Sequence, residues 1–197
     1  MTLRAVTVVG LGLIGGSVLR SLARAGLTAR GYDADPATRD AARRAGTRWH
    51  IGDSLPDVVR GADLVLLAVP LPVLPRVLDD LAGGELAGYD GLLTDTTSAK
   101  QPVRRLINAR RPAGRFVGGH PMAGRERAGF AAGDETLFDD RPWVLCLEPE
   151  TPMTDWLALA DLVTRLGARV VPATTAEHDA AVARVSHLPN LTAAALA

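Results

Sequence analysis

The sequence predicts an α/β fold built on a doubly wound, mostly parallel sheet. A β-branched stretch at 5–9 runs directly into the glycines of G-L-G-L-I-G-G. Further on, apolar strand-like stretches alternate with helix-like stretches for most of the chain. The 197 residues are 47% hydrophobic, which is enough to bury a core of this kind. Both the order of elements and the composition therefore indicate a strand–helix–strand protein.

The glycine-rich turn predicts a dinucleotide-binding site. Gly10 permits a tight turn, Gly12 leaves room for a pyrophosphate, and Gly15 lets the next helix pack closely on its strand. A helix is predicted over 17–25, with Gly26 as its stop, and its N-terminus would bind phosphate.

A carboxylate follows the glycines at the spacing typical of such sites. The second predicted strand, T-A-R-G-Y-D, ends in Asp33, where an acid can accept hydrogen bonds from ribose hydroxyls and repel a 2′-phosphate. This favours NAD over NADP. Arg39, Arg43 and Arg44 come soon after and leave NADP open, although such a row is more often a solvated helix face.

The remaining cofactor contacts are predicted from strand ends. In a parallel sheet, ligands collect beyond the carboxyl ends of the strands. The buried stretch G-A-D-L-V-L-L-A-V-P ends at Val69 and Pro70. Together with Leu13 and Ile14 of the glycine turn, these residues are expected to line the cofactor crevice.

Composition excludes several classes of function. The 22 basic and 22 acidic residues balance, so no overall charge would attract nucleic acid or an anionic membrane. The single cysteine, Cys146, alternates with apolar neighbours and is expected in a buried strand rather than as a nucleophile. No metal-binding pattern accompanies the 4 histidines. No leader or membrane-spanning run is found, so the cytoplasm is the expected location.

His120 is the leading candidate for a catalytic base. Dehydrogenation of an alcohol needs a base within reach of the hydroxyl proton, and histidine has a suitable pKa. His120 lies in the glycine-rich segment G-G-H-P-M-A-G, at the cofactor end of the predicted sheet. Ser98 follows the neighbouring strand and could orient the imidazole or cap the next helix. Lys100 is expected to complement an anionic substrate or to be solvated, and His50 to lie at the surface.

The C-terminal stretch is predicted to be helical as far as Ala197. Thr174 and Glu177 form a capping box at its start. His178 and Asp179 then read as polar residues of the first helical turn. Because the helix is still apolar at Ala197, we expect it to continue in a longer protein or to pack against a partner.

Two residues of this helix are expected to face a cleft. His187 and Asn190 are three positions apart and share a helix face. The predicted organisation is therefore a nucleotide-binding domain over 1–172, followed by the start of a helical domain over 173–197.

Four motifs together resemble the prephenate and arogenate dehydrogenases of tyrosine biosynthesis. They are G-L-G-L-I-G-G-S, T-D-T-T-S-A-K, G-G-H-P-M-A-G-R-E-R-A-G and E-H-D-A-A-V-A-R-V-S-H-L-P-N. The resemblance implies a Rossmann-type domain, then a helical domain that forms a homodimer. It also implies an NAD(P)-dependent oxidative decarboxylation of a cyclohexadienol. His120 would accept the hydroxyl proton, Ser98 would orient it, Glu126 would line the cleft mouth, and His187 would help to frame the substrate pocket.

One departure from the family pattern leaves the substrate open. The family usually reads His-Leu-Pro-His where this chain has Asn190, so a substrate-side ring is replaced by an amide. Prephenate, arogenate and a 4-amino analogue of prephenate all stay candidates. With only the start of the helical domain, this form is expected to bind cofactor but to show little turnover.

The sequence leaves two other interpretations of the function. A β-hydroxyacid dehydrogenase would need a catalytic lysine on the helix after the nucleotide domain, and that helix has none. A nucleotide-binding module without catalysis is the alternative that is not an enzyme.

Overall fold

A computed structural model describes residues 2–110 and 115–184 of the chain. The strands are β1 (Ala5–Val9), β2 (Thr28–Tyr32), β3 (His50–Ile51), β4 (Leu64–Leu67), β5 (Leu92–Asp95), β6 (Arg115–Val117), β7 (Gly119–Pro121), β8 (Pro142–Cys146) and β9 (Arg169–Ala173). The α-helices are α1 (Leu13–Arg24), α2 (Pro36–Arg44), α3 (Leu55–Val59), α4 (Leu74–Ala82), α5 (Lys100–Arg110), α6 (Met153–Arg165) and α7 (Thr175–Val182).

Six strands form a parallel sheet in the order β3-β2-β1-β4-β5-β6. The predicted doubly wound fold class is confirmed. The direction of winding reverses between β1 and β4, which is where such sheets open a ligand crevice. Two apolar cores cover the sheet: one contains α1 and α6 side chains, and the other contains side chains of α3, α4 and α5.

The first strand–helix–strand unit closely follows its prediction. Strand β1 has the predicted bounds. Helix α1 begins at Leu13 rather than at residue 17, directly after the glycine turn. Gly26 has a φ of 72°, the left-handed backbone that favours glycine after a helix, so the predicted stop is confirmed. Helices α3 and α6 are absent from the sequence prediction.

A second sheet, ordered β7-β8-β9, departs from the expected alternation. The stretch R-F-V-G-G-H-P is expected to be a strand followed by a loop, but it forms two strands. Its first part, β6, joins the main sheet, and its second part, β7, pairs antiparallel with β8. Gly119 permits this path, because a Cβ there would lie 2.8 Å from the Asp95 carbonyl oxygen. His120 is therefore a strand residue, opposite Val144, rather than a loop residue.

Helix α7 follows the second sheet and begins with the predicted capping box. The Thr174 hydroxyl accepts from the Glu177 N–H, and the Glu177 carboxylate accepts from the Thr174 N–H. The boundary placed after residue 172 falls in the last part of β9 and stays a prediction. His187 and Asn190 lie outside the described residues. Within the described ranges, the helices are all too short or too polar to cross a membrane.

Candidate active site

An open cleft of ≈ 760 Å³ lies beyond the carboxyl ends of β1, β2, β4 and β5. The sequence predicted cofactor contacts at this edge of the sheet, and the structure brings nearly all of them together. The predicted residues that line the cleft are Gly10, Gly12, Leu13, Ile14, Asp33, Val69 and Pro70. Gly15 lies behind the lining, where it supports the turn.

The glycine turn has the shape that a dinucleotide requires. Gly10 has a φ of 90°, and a Cβ there would lie 2.6 Å from the Ala68 carbonyl oxygen. A Cβ on Gly15 would lie 1.8 Å from the Gly10 carbonyl oxygen. At Gly12, by contrast, no atom lies within 4 Å of the Cβ position, so the backbone is open to a ligand. Helix α1 begins at the next residue, Leu13. The first N–H groups of a helix have no partner within it, so they can bind phosphate.

Asp33 closes the cleft at the end of β2. Its Oδ2 accepts from the Leu11 N–H at 2.7 Å, and its Oδ1 accepts from the Asp35 N–H at 2.9 Å. These backbone bonds hold the carboxylate beside the glycine turn, where a ribose would lie.

The three arginines after Asp33 do not share one environment. Arg39 donates to the Asp33 carbonyl oxygen at 2.7 Å, and its side chain is only 14% exposed. The interpretation of a solvated face is therefore wrong for Arg39. Arg43 is exposed and pairs with Asp53 at 2.6 Å, and Arg44 is exposed.

His120 lies in a chain of three side chains at the same edge of the main sheet. Its Nδ1 is 2.9 Å from Nε2 of His178, and the two rings meet edge to face. The Nδ1 of His178 is in turn 2.8 Å from Oδ1 of Asp179. His178 lies in the first turn of α7, as predicted, but it is buried, with only 2% of its surface exposed. The reason is tertiary, since α7 packs against α5 and turns this side of its first turn inward.

Asp179 also caps α5. Its Oδ1 accepts from the Lys100 N–H at 2.7 Å, and its Oδ2 accepts from the Gln101 N–H at 2.8 Å. Burial opposes ionisation of Asp179, but these two bonds and the contact with His178 outweigh it and lower the pKa of the carboxyl. Because α5 begins two residues after Ser98 and takes its cap from Asp179, the alternative of Ser98 as the cap is wrong.

Sequence reasoning missed a buried ion pair that contacts the residue before His120. Lys100 Nζ donates to Oδ2 of Asp95 at 2.5 Å and to the Gly119 carbonyl oxygen at 2.6 Å. The two side chains are 2% and 0% exposed. Lys100 is thus neither solvated nor available to a substrate in this structure. The pair fixes the residue that precedes His120, since the Gly119 N–H also donates to Asp95.

Ser98 lies on the cleft wall, as expected, whereas Glu126 is not among the lining residues, and the roles of both stay predictions. Ser98 is exposed on the wall of the cleft after β5. Glu126 is exposed in the loop after β7, next to Arg127, which lines the cleft.

Other titratable groups are placed as predicted. Cys146 lies buried in β8, and burial raises the pKa of its thiol to about 11, which disfavours a nucleophilic role. His50 is exposed at the start of β3. Within residues 2–110 and 115–184, no group of three or more His, Cys, Asp or Glu side chains is placed to hold a metal ion.

This geometry can be compared with known proteins. Residues 18–172 match the family described as the nucleotide-binding domain of prephenate dehydrogenase. The chain belongs to the prephenate dehydrogenase family. The resemblance found in the sequence motifs is thereby confirmed. A cyclohexadienyl dehydrogenase of Zymomonas mobilis is 34% identical over 95% of this chain. The chain spans 64% of the length of that relative.

Solved structures of the prephenate dehydrogenase family share the fold. The prephenate dehydrogenase of Aquifex aeolicus, solved in complex with hydroxyphenyl propionate and NAD+, superposes with a TM-score of 0.86 at 28% identity. The match covers 100% of this chain and 68% of that protein. The arogenate dehydrogenase of Synechocystis superposes with a TM-score of 0.81 at 30% identity, over 97% of this chain and 67% of that one.

Proposed function

We propose that this chain is the nucleotide-binding part of an NAD-dependent dehydrogenase that oxidatively decarboxylates a cyclohexadienol in tyrosine biosynthesis. The observation that carries the proposal is the position of His120. His120 is partly buried and follows Gly119, which packs against the carboxyl end of β5. It is not itself on the lining of the dinucleotide cleft, but residues 96–99, directly after β5, are. The Aquifex aeolicus relative, solved with NAD+ and an aromatic acid, supports this reading.

NAD is the cofactor that the cleft favours. A ribose beside Asp33 would donate its hydroxyls to the carboxylate, whereas a 2′-phosphate would be repelled by it. Arg39 offers little compensation, because its guanidinium already donates to the Asp33 and Ala34 carbonyl oxygens. NADP is expected to bind more weakly.

In the proposed reaction, His120 accepts the proton of the ring hydroxyl. Bound NAD supplies the acceptor for the hydride from the carbon that carries this hydroxyl. The ring carboxylate leaves as carbon dioxide, and its bonding electrons complete the aromatic ring, which makes the step irreversible. Ser98 orients the hydroxyl and His120, while Glu126, His187 and Asn190 contact the substrate side of the cleft.

The relatives support prephenate and arogenate as substrates, with the 4-amino analogue of prephenate as the alternative. The family resemblance further supports a homodimer formed through the helical region, and a cytoplasmic enzyme. These proposals concern the whole protein, of which residues 1–172 would form the cofactor domain.

The experiment is a single-turnover assay with protein in excess over NAD, which detects one round of nicotinamide reduction. Prephenate and arogenate are added in turn, and reduced nicotinamide is followed by its absorbance. We expect slow reduction with one substrate. His120→Asn should lower the rate about 100-fold or more, as loss of a general base does, and leave NAD affinity unchanged. His50→Asn, which replaces an exposed histidine, is the matched control and should change neither the rate nor the NAD affinity.

Two results would count against the proposal. Equal rates for His120→Asn and the unaltered chain would remove His120 from catalysis. NAD binding without any reduction, at every protein concentration, would favour the module that binds nucleotide without catalysis.

A further inference from the structure

We infer that His178 and Asp179 are positioning residues that hold His120 in a single tautomer, with the proton on Nδ1 and the lone pair on Nε2. One consequence of the inference rests on the proposed function, namely that Nε2 of His120 accepts the substrate proton. The tautomer itself is a property of the chain without substrate.

The direction of each hydrogen bond follows from its fixed end. An ionised carboxylate can only accept, so Asp179 requires a proton on Nδ1 of His178, 2.8 Å away. A neutral His178 then has its lone pair on Nε2. That atom lies 2.9 Å from Nδ1 of His120, which must therefore donate. The remaining ring nitrogen of a neutral His120 is then the basic one.

Asp179 sets the direction of these hydrogen bonds because it is held as an anion. Two backbone N–H groups at the start of α5 donate to it, one to each oxygen. Its pKa is lowered by these bonds, although burial opposes the shift. A protonated Asp179 would have to point a hydroxyl at one of these donors, so the backbone contacts favour the carboxylate, and with a neutral His178 the protons run in the stated order.

Burial of His178 and separate hydrogen bonds to Gly119 stabilise this position of His120. His178 is 2% exposed, so water does not compete for its ring nitrogens. The backbone before His120 is clamped independently, because Gly119 donates to Asp95 and accepts from Lys100. Ring and backbone of His120 are thus fixed by different contacts. The nearby Asp179 charge also stabilises the imidazolium that forms when His120 accepts a proton.

The test is nitrogen NMR of the chain labelled with 15N-histidine, at neutral pH and without substrate. Long-range proton–nitrogen correlations distinguish the two tautomers of each ring. We expect His120 and His178 both to carry the proton on Nδ1, whereas the exposed His50 shows the mixture found in solution. A His120 ring protonated on Nε2 in the unaltered chain would overturn the inference.

Variants separate positioning from simple structural support. His178→Phe keeps a buried ring but removes the acceptor, so His120 should move to a mixture like that of His50. Glu177→Gln, an exposed change on the same helix, should leave the His120 tautomer as it was. If His120 keeps the Nδ1 proton in His178→Phe, His178 does not set the tautomer.

A kinetic arm links the tautomer to the reaction. In the single-turnover assay, His178→Phe should slow reduction about 10-fold or more, up to the about 100-fold or more expected on losing the base itself, with unchanged NAD affinity. An unchanged rate would contradict the positioning role. Because the spectra need no substrate, failure of the proposed reaction would leave the tautomer result standing, and the reverse also holds.

Discussion

The cofactor cleft and the histidine site lie at the same edge of the sheet but are built in different ways. The glycine turn and Asp33 of the cleft come from one continuous stretch, 9–33, although residues after β4 and β5 and the loop at 127–129 complete its walls. The histidine site joins the rings of His120 and His178, 58 residues apart, and the Lys100 backbone N–H to the Asp179 carboxylate, 79 residues apart. Short-range sites can be found as motifs, whereas sites assembled across elements cannot.

The two regions also differ in charge. The cleft exposes backbone and apolar side chains with Asp33 at one end. The histidine site rests on charges withdrawn from water, namely the Asp95–Lys100 pair and the partly buried Asp179. A buried charge is stable only with its partner, so removing one partner should cost more here than at the rim of the cleft. The following predictions use that difference.

The largest effect on stability is expected from Lys100→Met. It leaves Asp95 buried without its cation and the Gly119 carbonyl without its donor, which should lower the free energy of unfolding by about 3–5 kcal/mol. Asp53→Asn, which breaks the exposed pair with Arg43, should cost less than about 1 kcal/mol. Urea denaturation of both variants provides the measurement. Equal losses would show that burial does not set the cost of breaking an ion pair in this protein.

Within the cleft, substitutions at two glycines of one motif are expected to have different effects. Gly15→Ala forces a Cβ onto the Gly10 carbonyl and should destabilise the fold by about 1–3 kcal/mol. Gly12→Ala meets no atom and should change stability by less than about 0.5 kcal/mol, but it should abolish NAD binding by filling the space for the pyrophosphate. Thermal unfolding and calorimetric titration with NAD test the pair. Intact NAD binding by Gly12→Ala would disprove the assigned path of the cofactor.

Asp33→Asn should alter cofactor affinity, and its single amide oxygen can keep only one of the two backbone hydrogen bonds that the carboxylate accepts. Loss of the carboxylate should weaken NAD binding about tenfold, or about 1.4 kcal/mol, and reduce the preference for NAD over NADP. Asp40→Asn is the control, since Asp40 is exposed and pairs with Arg43 on α2. Both are measured by titration with each nucleotide. An unchanged ratio of the two affinities would remove Asp33 from cofactor selection.

The smallest effect is a pH dependence at Asp179. Its pKa in the folded protein is lowered, so its ionised form adds stability above the ordinary aspartate value of about 3.9, and this is lost as pH falls through the lowered value. The unaltered chain should therefore exceed Asp179→Ala in unfolding free energy near neutral pH, by a margin that shrinks under acidic conditions. Denaturation across this range measures the margin. A constant margin would mean that the charge of Asp179 does not contribute.

The sequence by itself determined the fold class, the glycine turn, the place of Asp33 and the burial of Cys146. Each depends on local periodicity, or on a backbone shape that only glycine adopts without strain, and neighbours in sequence fix both. It also indicated His120 and Ser98 as residues at the carboxyl edge, because that edge follows from strand order alone.

Only the tertiary structure decided what surrounds His120. The strand before it divides between two sheets because Gly119 passes against β5. The buried Lys100, the inward turn of His178 and the cap that Asp179 gives to α5 all depend on how distant elements pack. A polar side chain that reads as solvated in sequence becomes part of the site when packing removes water and supplies a partner.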